Sequence, residues 1–194
     1  MDHWRYYIHG RLLEAFGRRE AAIASYRGAL QAEPQFSRAA NRIAYLLASL
    51  DRFEEAEEYF RRALNSDPGN AVAHFNLGYT LDKRSRFEQA IVEFQEATRL
   101  RPGLDRAWYG LGLAHAALGQ HREAATALEQ AATLQPMNPH AWYQLGMAQH
   151  ATGNRARFEE VVMHLLRFDP RMTRRLIVES ERADLAHLVK DLEV

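Results

Sequence analysis

Residues 105–138 read DRAWYGLGLAHAALGQHREAATALEQAATLQPMN, and the spelling of this stretch recurs along the chain. Trp108, Leu111 and Gly112 stand near its start, and Ala124, Leu128, Ala131 and Pro136 follow. Pro34, Pro68, Pro102, Pro136 and Pro170 are spaced 34 residues apart. Ala22, Ala56, Ala90 and Ala124 lie twelve residues before the first four of these prolines, and Tyr26, Phe60, Phe94, Leu128 and Val162 lie eight before all five. Ala44, Gly78, Gly112 and Gly146 keep another phase, each preceded by Ile43, Leu77, Leu111 or Leu145. A fixed internal period of this length marks a stack of like units, each too small to bury its apolar face alone.

Each period holds two helical stretches. In the third, Phe87, Ala90, Ile91, Phe94 and Ala97 fall on one helical face at i, i+3, i+4, i+7 and i+10. Gly17, Gly119 and Gly153 mark the break between the two stretches, where a left-handed residue ends a helix. Asp51 and Ser85 fill that slot in the second and third periods, with more strain expected. The proline ends the second helix, because the residue before it is pushed out of the helical region. The small residues let two helix backbones approach closely.

The unit W-x2-L-G-x2-Y, then A-x3-F, then P resembles the tetratricopeptide repeat. Five units fit residues 3–36, 37–70, 71–104, 105–138 and 139–172. The first is degenerate, with Tyr6, His9 and Gly10 at the Trp, Leu and Gly positions. In the fifth, Phe158 and Leu165 replace the two alanines of the second helix. The resemblance implies an all-α fold, a right-handed superhelical α-solenoid of antiparallel helix pairs. Residues 173–194 are expected to form a helical cap, with Leu185, Leu188, Val189 and Leu192 as its apolar stripe after Leu176, Ile177 and Val178. The N-terminal end has no evident cap, so Trp4, Tyr6, Tyr7 and Ile8 are expected to be partly exposed there.

Composition excludes several function classes. Lys plus Arg and Asp plus Glu each number 25, for a net charge of zero. A general nucleic-acid binder carries a basic excess, so helical-repeat RNA binding is disfavoured. The chain has no cysteine, which removes thiolate chemistry and disulfides. No apolar run reaches the ~18 residues of a membrane span, and no signal-like segment opens the chain. A cytoplasmic, soluble protein is the expectation. The nine histidines show no metal-ligand spacing: His115 and His121 flank a glycine, and His140 and His150 are ten apart. Gly110-Leu-Gly112 lies within a helix and lacks the third glycine of a phosphate loop. Glu57–Arg61 and Glu58–Arg62 read as i, i+4 pairs on a solvated face. No catalytic set, cofactor or metal site is expected, and the protein is read as no enzyme.

The family resemblance implies instead that the first helices line a concave groove for a peptide or helix of a partner protein. Carried over position by position, the groove residues are Tyr7, Asn41, Arg42, Tyr45, Phe75, Asn76, Tyr79, Arg106, Tyr109, Leu113, Tyr143 and Met147. Tyrosine suits this use, with a large contact area and a polar tip. Asn41 and Asn76 are expected to bond a partner's backbone, and Arg42 and Arg106 a carboxylate. A shallow apolar pocket is expected where Gly110, Ala116 and Ala117 leave space beside Tyr109 and Tyr143. A clamp for a C-terminal carboxylate is disfavoured: against its five positions the chain offers Asn41, Tyr45, Asn76, Arg106 and Gly110, of which only Asn76 matches and Arg106 keeps the charge. The second reading is a self-assembling scaffold, associating through the Trp4–Ile8 surface.

Overall fold

A computed structural model describes residues 2–190 of the chain. It is all-α, and its helices fall into two units, Met1–Arg101 and Pro102–Val194. The first holds α1 (Asp2–Ala15), α2 (Arg19–Ala32), α3 (Ser37–Ala48), α4 (Phe53–Ser66), α5 (Ala71–Lys83) and α6 (Phe87–Leu100). The second holds α7 (Asp105–Ala117), α8 (His121–Leu134), α9 (Pro139–Ala151), α10 (Arg155–Leu166) and α11 (Pro170–Glu179), then a 3-10 helix over Ala183–Val189. Each period gives one helix hairpin. Its turn is made by Gly17, Asp51, Ser85, Gly119 or Gly153, all left-handed with φ between 57 and 72°. Glu33, Asp67, Arg101 and Gln135, each before a proline, leave the helical region with φ between −143 and −130°. Pro170 does something different. It is the first residue of α11, and the Asp169 side chain caps that helix by accepting the Met172 N–H at 2.8 Å.

The hairpins close on a contact between bare backbone and a bulky side chain. Tyr26, Phe60, Phe94, Leu128 and Val162, all at one register, are at most 2% exposed. A Cβ added to Gly112 would stand 2.5 Å from Leu128 Cγ, and one on Gly78 would stand 2.8 Å from the Phe94 ring. Gly10 faces Tyr26 in the same way, so the degenerate first repeat keeps the rule. Ala44 takes this position in the second repeat, fully buried. In the fifth repeat the packing changes as its sequence does. Phe158 and Leu165 are fully buried, and Gly146 lies against Leu176 of α11 and Val161.

Polar contacts fix the repeats on one another. Trp108 Nε1 donates to the carbonyl of Pro102 at 2.8 Å, and Trp142 Nε1 to that of Pro136 at 2.9 Å. One Trp position thus ties a first helix to the loop before it. Glu57 corrects the solvated-face reading. It is 7% exposed and receives Arg61, Arg84 and Arg86, the last at 2.6 Å. Burial pushes its carboxyl up, but the arginines outweigh this and hold it below its ordinary value. Arg62 does not pair with Glu58 by this geometry; its guanidinium donates to the Pro34 carbonyl at 2.9 Å. Periodicity along α4 placed Glu57 correctly on its helix, but the arginines that bury it come from the next repeat.

The C-terminal segment, expected as a helical cap, is built from α11 and the 3-10 helix that follows it. Leu176 and Ile177 of α11 are buried while Val178 is exposed. Leu185, Leu188 and Val189 lie in or beside the 3-10 turn and pack on the same core, and Leu192 falls outside the described residues. Arg182 anchors this end, bonding Glu159 and Asp184 with its guanidinium over the Phe158 ring at 5.1 Å. Substituting Gly112→Ala should lower the unfolding free energy by about 1–3 kcal/mol, because Leu128 must move to admit the methyl group. Gly69→Ala, with open space at its Cβ, should change stability far less. Urea unfolding of both variants checks the difference.

Candidate functional site

In the first unit the groove register falls on α1, α3 and α5. Asn41 and Tyr45 are one turn apart on α3, and Phe75 and Tyr79 one turn apart on α5. Tyr45 is 49% exposed and Tyr79 43%. The Arg42 guanidinium lies over the Tyr45 ring at 5.5 Å, and the Lys83 ammonium over the Tyr79 ring at 5.3 Å. Such cations steady each ring from one face, and the rings remain partly exposed. Phe75 is half-buried and packs on Phe94, centroids 6.0 Å apart. Asn76 is also half-buried, and its backbone carbonyl accepts the Thr80 hydroxyl at 2.8 Å.

Asn41 stands apart among these residues. Its Oδ1 is buried and has no hydrogen-bond partner, alone among the buried side-chain nitrogens and oxygens of the described residues. A buried acceptor without a donor costs about 1–3 kcal/mol, so a ligand N–H placed there would be favoured. Asp82 adds a second acceptor, three residues beyond Tyr79 on α5. Burial pushes its carboxyl above the ordinary aspartate value, with only Lys83 opposing. Sequence reasoning missed Asp82; its i+3 relation to Tyr79 was the available signal.

Two residues assigned to the groove serve the fold here. Tyr7 is half-buried among rings, with Trp4, Tyr26 and Phe36 centroids between 5.2 and 5.7 Å away. Arg42 was expected to meet a partner's carboxylate, but its carboxylate is internal: Glu14 of α1, which also accepts the Tyr26 hydroxyl at 2.8 Å. Burial raises the Glu14 carboxyl, yet the Arg42 and Tyr26 bonds prevail and lower it below 4.5. The Arg42 guanidinium is raised by the hydrogen bond it donates to Glu14.

The second unit departs further from expectation. Tyr143 was read as an open groove residue, but it is 6% exposed. α11 covers it: the Tyr143 hydroxyl donates to Glu179, and the Arg175 guanidinium lies 4.9 Å from the ring centroid. Burial, then the Glu179 bond, push the phenol up. The space expected beside Tyr143 is therefore occupied by the chain's own helix. Tyr109 and Met147 pack against the same core, and burial raises the Tyr109 phenol. Leu113 is half-buried and Arg106 exposed. No three His, Asp or Glu residues gather as a metal cluster among the described residues, and no described helix is long and apolar enough to cross a membrane.

A family model described as tetratricopeptide repeat matches residues 7–71 and 109–170, and a second model of that description matches 47–115. No curated protein sequence matches the chain. Among solved structures, YrrB, described as a TPR protein with an unusual peptide-binding site, shares 22% identity at a TM-score of 0.80, over 91% of this chain and 90% of that one. A MamA structure shares 20% identity at 0.79, over 100% and 97%. PilF of Pseudomonas aeruginosa shares 22% at 0.67, over 98% and 93%.

The Glu14–Arg42 pair makes stability depend on acid. A carboxyl lowered by folding contributes fully above its unfolded value of 4.5, and the contribution is lost as pH falls through the folded value. Glu14→Gln should cost about 1–2 kcal/mol at pH 7. The gap to wild type should shrink below pH 4.5, read from urea midpoints across pH.

Proposed function

This chain belongs to the tetratricopeptide-repeat family, and from that premise we propose that the face of α3 and α5 binds an extended peptide segment of a partner protein. Helical-repeat interaction modules of this fold offer such surfaces on their first helices. One observation carries the reading: the buried, unpartnered Oδ1 of Asn41, with the exposed ring of Tyr45 one turn along the same helix. A polypeptide supplies what this face lacks. Its backbone N–H satisfies Asn41, its side chains lie on Tyr45 and Tyr79, and a further donor meets Asp82. YrrB, of the same fold, is described by its peptide-binding site, which supports the choice of a peptide. In this reading the protein is a non-enzymatic adaptor acting in the cytoplasm, with no cofactor. The peptide contacts centre on Asn41, Tyr45, Phe75, Asn76 and Tyr79.

Selection of random peptides displayed on phage against the full chain tests this. Enriched peptides should bind wild type, and Tyr45→Ala, Tyr79→Ala and Asn41→Ala should each weaken binding roughly 5- to 30-fold, as truncation of a central contact does. Circular dichroism should show all three variants as helical as wild type. Failure to enrich any peptide, or binding indifferent to all three substitutions, would sink the proposal.

A further inference from the structure

One face of α1, continued into the turn that follows it, carries a row of exposed apolar side chains. Trp4, Ile8, Leu12 and Phe16 follow at four-residue spacing and are 42, 56, 55 and 80% exposed. The equivalents of Leu12 in α3, α5 and α9 are Leu46, Thr80 and Ala148, at most 4% exposed. Each of those helices packs on the second helix of the preceding hairpin in its own unit. At Leu12 the α1 face thus has the register of a repeat-to-repeat interface, and here that register is left open. Exposed apolar patches of this kind mark association surfaces.

Charge and shape specify the occupant. Arg18 is exposed, and its register equivalents Arg52 and Arg86 reach carboxylates of the preceding hairpin, Glu20 at 3.1 Å and Glu57 at 2.6 Å. Asp2 lies at the opposite end of the row, with Arg5 its exposed neighbour at 4.0 Å. A depression of about 490 Å³ lined by Asp2, Arg5, Tyr6 and His9 lies along one flank. The surface therefore offers a protruding ring at one end, a hollow at the other and an aliphatic middle. Arg18 stands at one end and the Asp2 carboxylate, beside Arg5, at the other. A surface built this way is complementary to itself under a two-fold axis.

We propose that two copies of this chain pair antiparallel through α1. Ile8 meets the partner's Leu12, Phe16 enters the hollow lined by the partner's Arg5, and Arg18 reaches the partner's Asp2. The ring against the guanidinium gains a cation–π contact, and the charged ends set the register. Parallel pairing would bring arginine to arginine and aspartate to aspartate. The face of the fifth repeat that would receive α1 head to tail is already taken by α11, which lies on Gly146 and Tyr143. The pairing face is distinct from the one carrying Asn41 and Tyr45, so either reading can fail alone.

Sedimentation equilibrium of the full chain should show a reversible dimer. Phe16→Glu should raise the dissociation midpoint roughly tenfold or more, with helicity unchanged by circular dichroism. Asp2→Arg and Arg18→Asp should each weaken the dimer, and the double exchange should recover it. The chain has no cysteine, so single cysteines can report the register. A mixture of Ile8→Cys and Leu12→Cys proteins, mildly oxidised, should yield the mixed cross-linked dimer above either homodimer. Val178→Cys, exposed on α11, should cross-link only at background. A chain that stays monomeric, a dimer indifferent to Phe16→Glu, or cross-linked homodimers in excess would overturn the proposal.

Discussion

In three of the hairpins the first helix meets the second where a residue with no side chain faces a bulky one, and Ala44 keeps the position small in the second repeat. Gly10 lies under Tyr26, Gly78 under Phe94 and Gly112 under Leu128. The missing Cβ sets how near the two helix axes come, and the ring or branched chain fills the gap this leaves. A hairpin closed in this way still presents an apolar outer face, which only a neighbouring hairpin can cover. The rest of the architecture follows from that unfinished surface.

Charge is arranged to serve the same stacking. Glu14 with Arg42, Glu57 with Arg84 and Arg86, and Glu129 with Arg157 join residues of successive repeats. These carboxylates are partly or wholly shielded, so each arginine offsets the cost of burying its partner. Their positions explain why Arg42 is not available to a ligand, whereas Asp82 and Asn41, with no such internal counterpart, remain to shape the face of α3 and α5.

Termini are where a stack must depart from its repeat. At the C-terminal end Pro170 starts a further helix, and α11 occupies the place a sixth first helix would take, laying Leu176 on Gly146 and Glu179 on Tyr143. The same act that completes the core removes Tyr143 from any binding surface. At the other end α1 leaves Trp4, Ile8, Leu12 and Phe16 exposed. The sequence reading noticed Trp4 and Ile8 but not Leu12, whose register is buried in the later repeats, nor Phe16, whose register is half-buried there.

The period of the prolines and small residues was enough to determine the hairpins, their left-handed turns, their closing contacts and the family. Each of these is set within about one repeat length, where spacing along the chain and spacing in space are the same thing. The fate of individual polar and aromatic groups was decided only by tertiary structure. Glu57 became buried, Arg42 was paired and Tyr143 was covered through residues 27 to 36 positions away, from neighbouring helices and turns whose side chains no local pattern encodes. Asn41 kept an unsatisfied oxygen for the complementary reason: the repeats around it supply no donor, and only the folded arrangement reveals that.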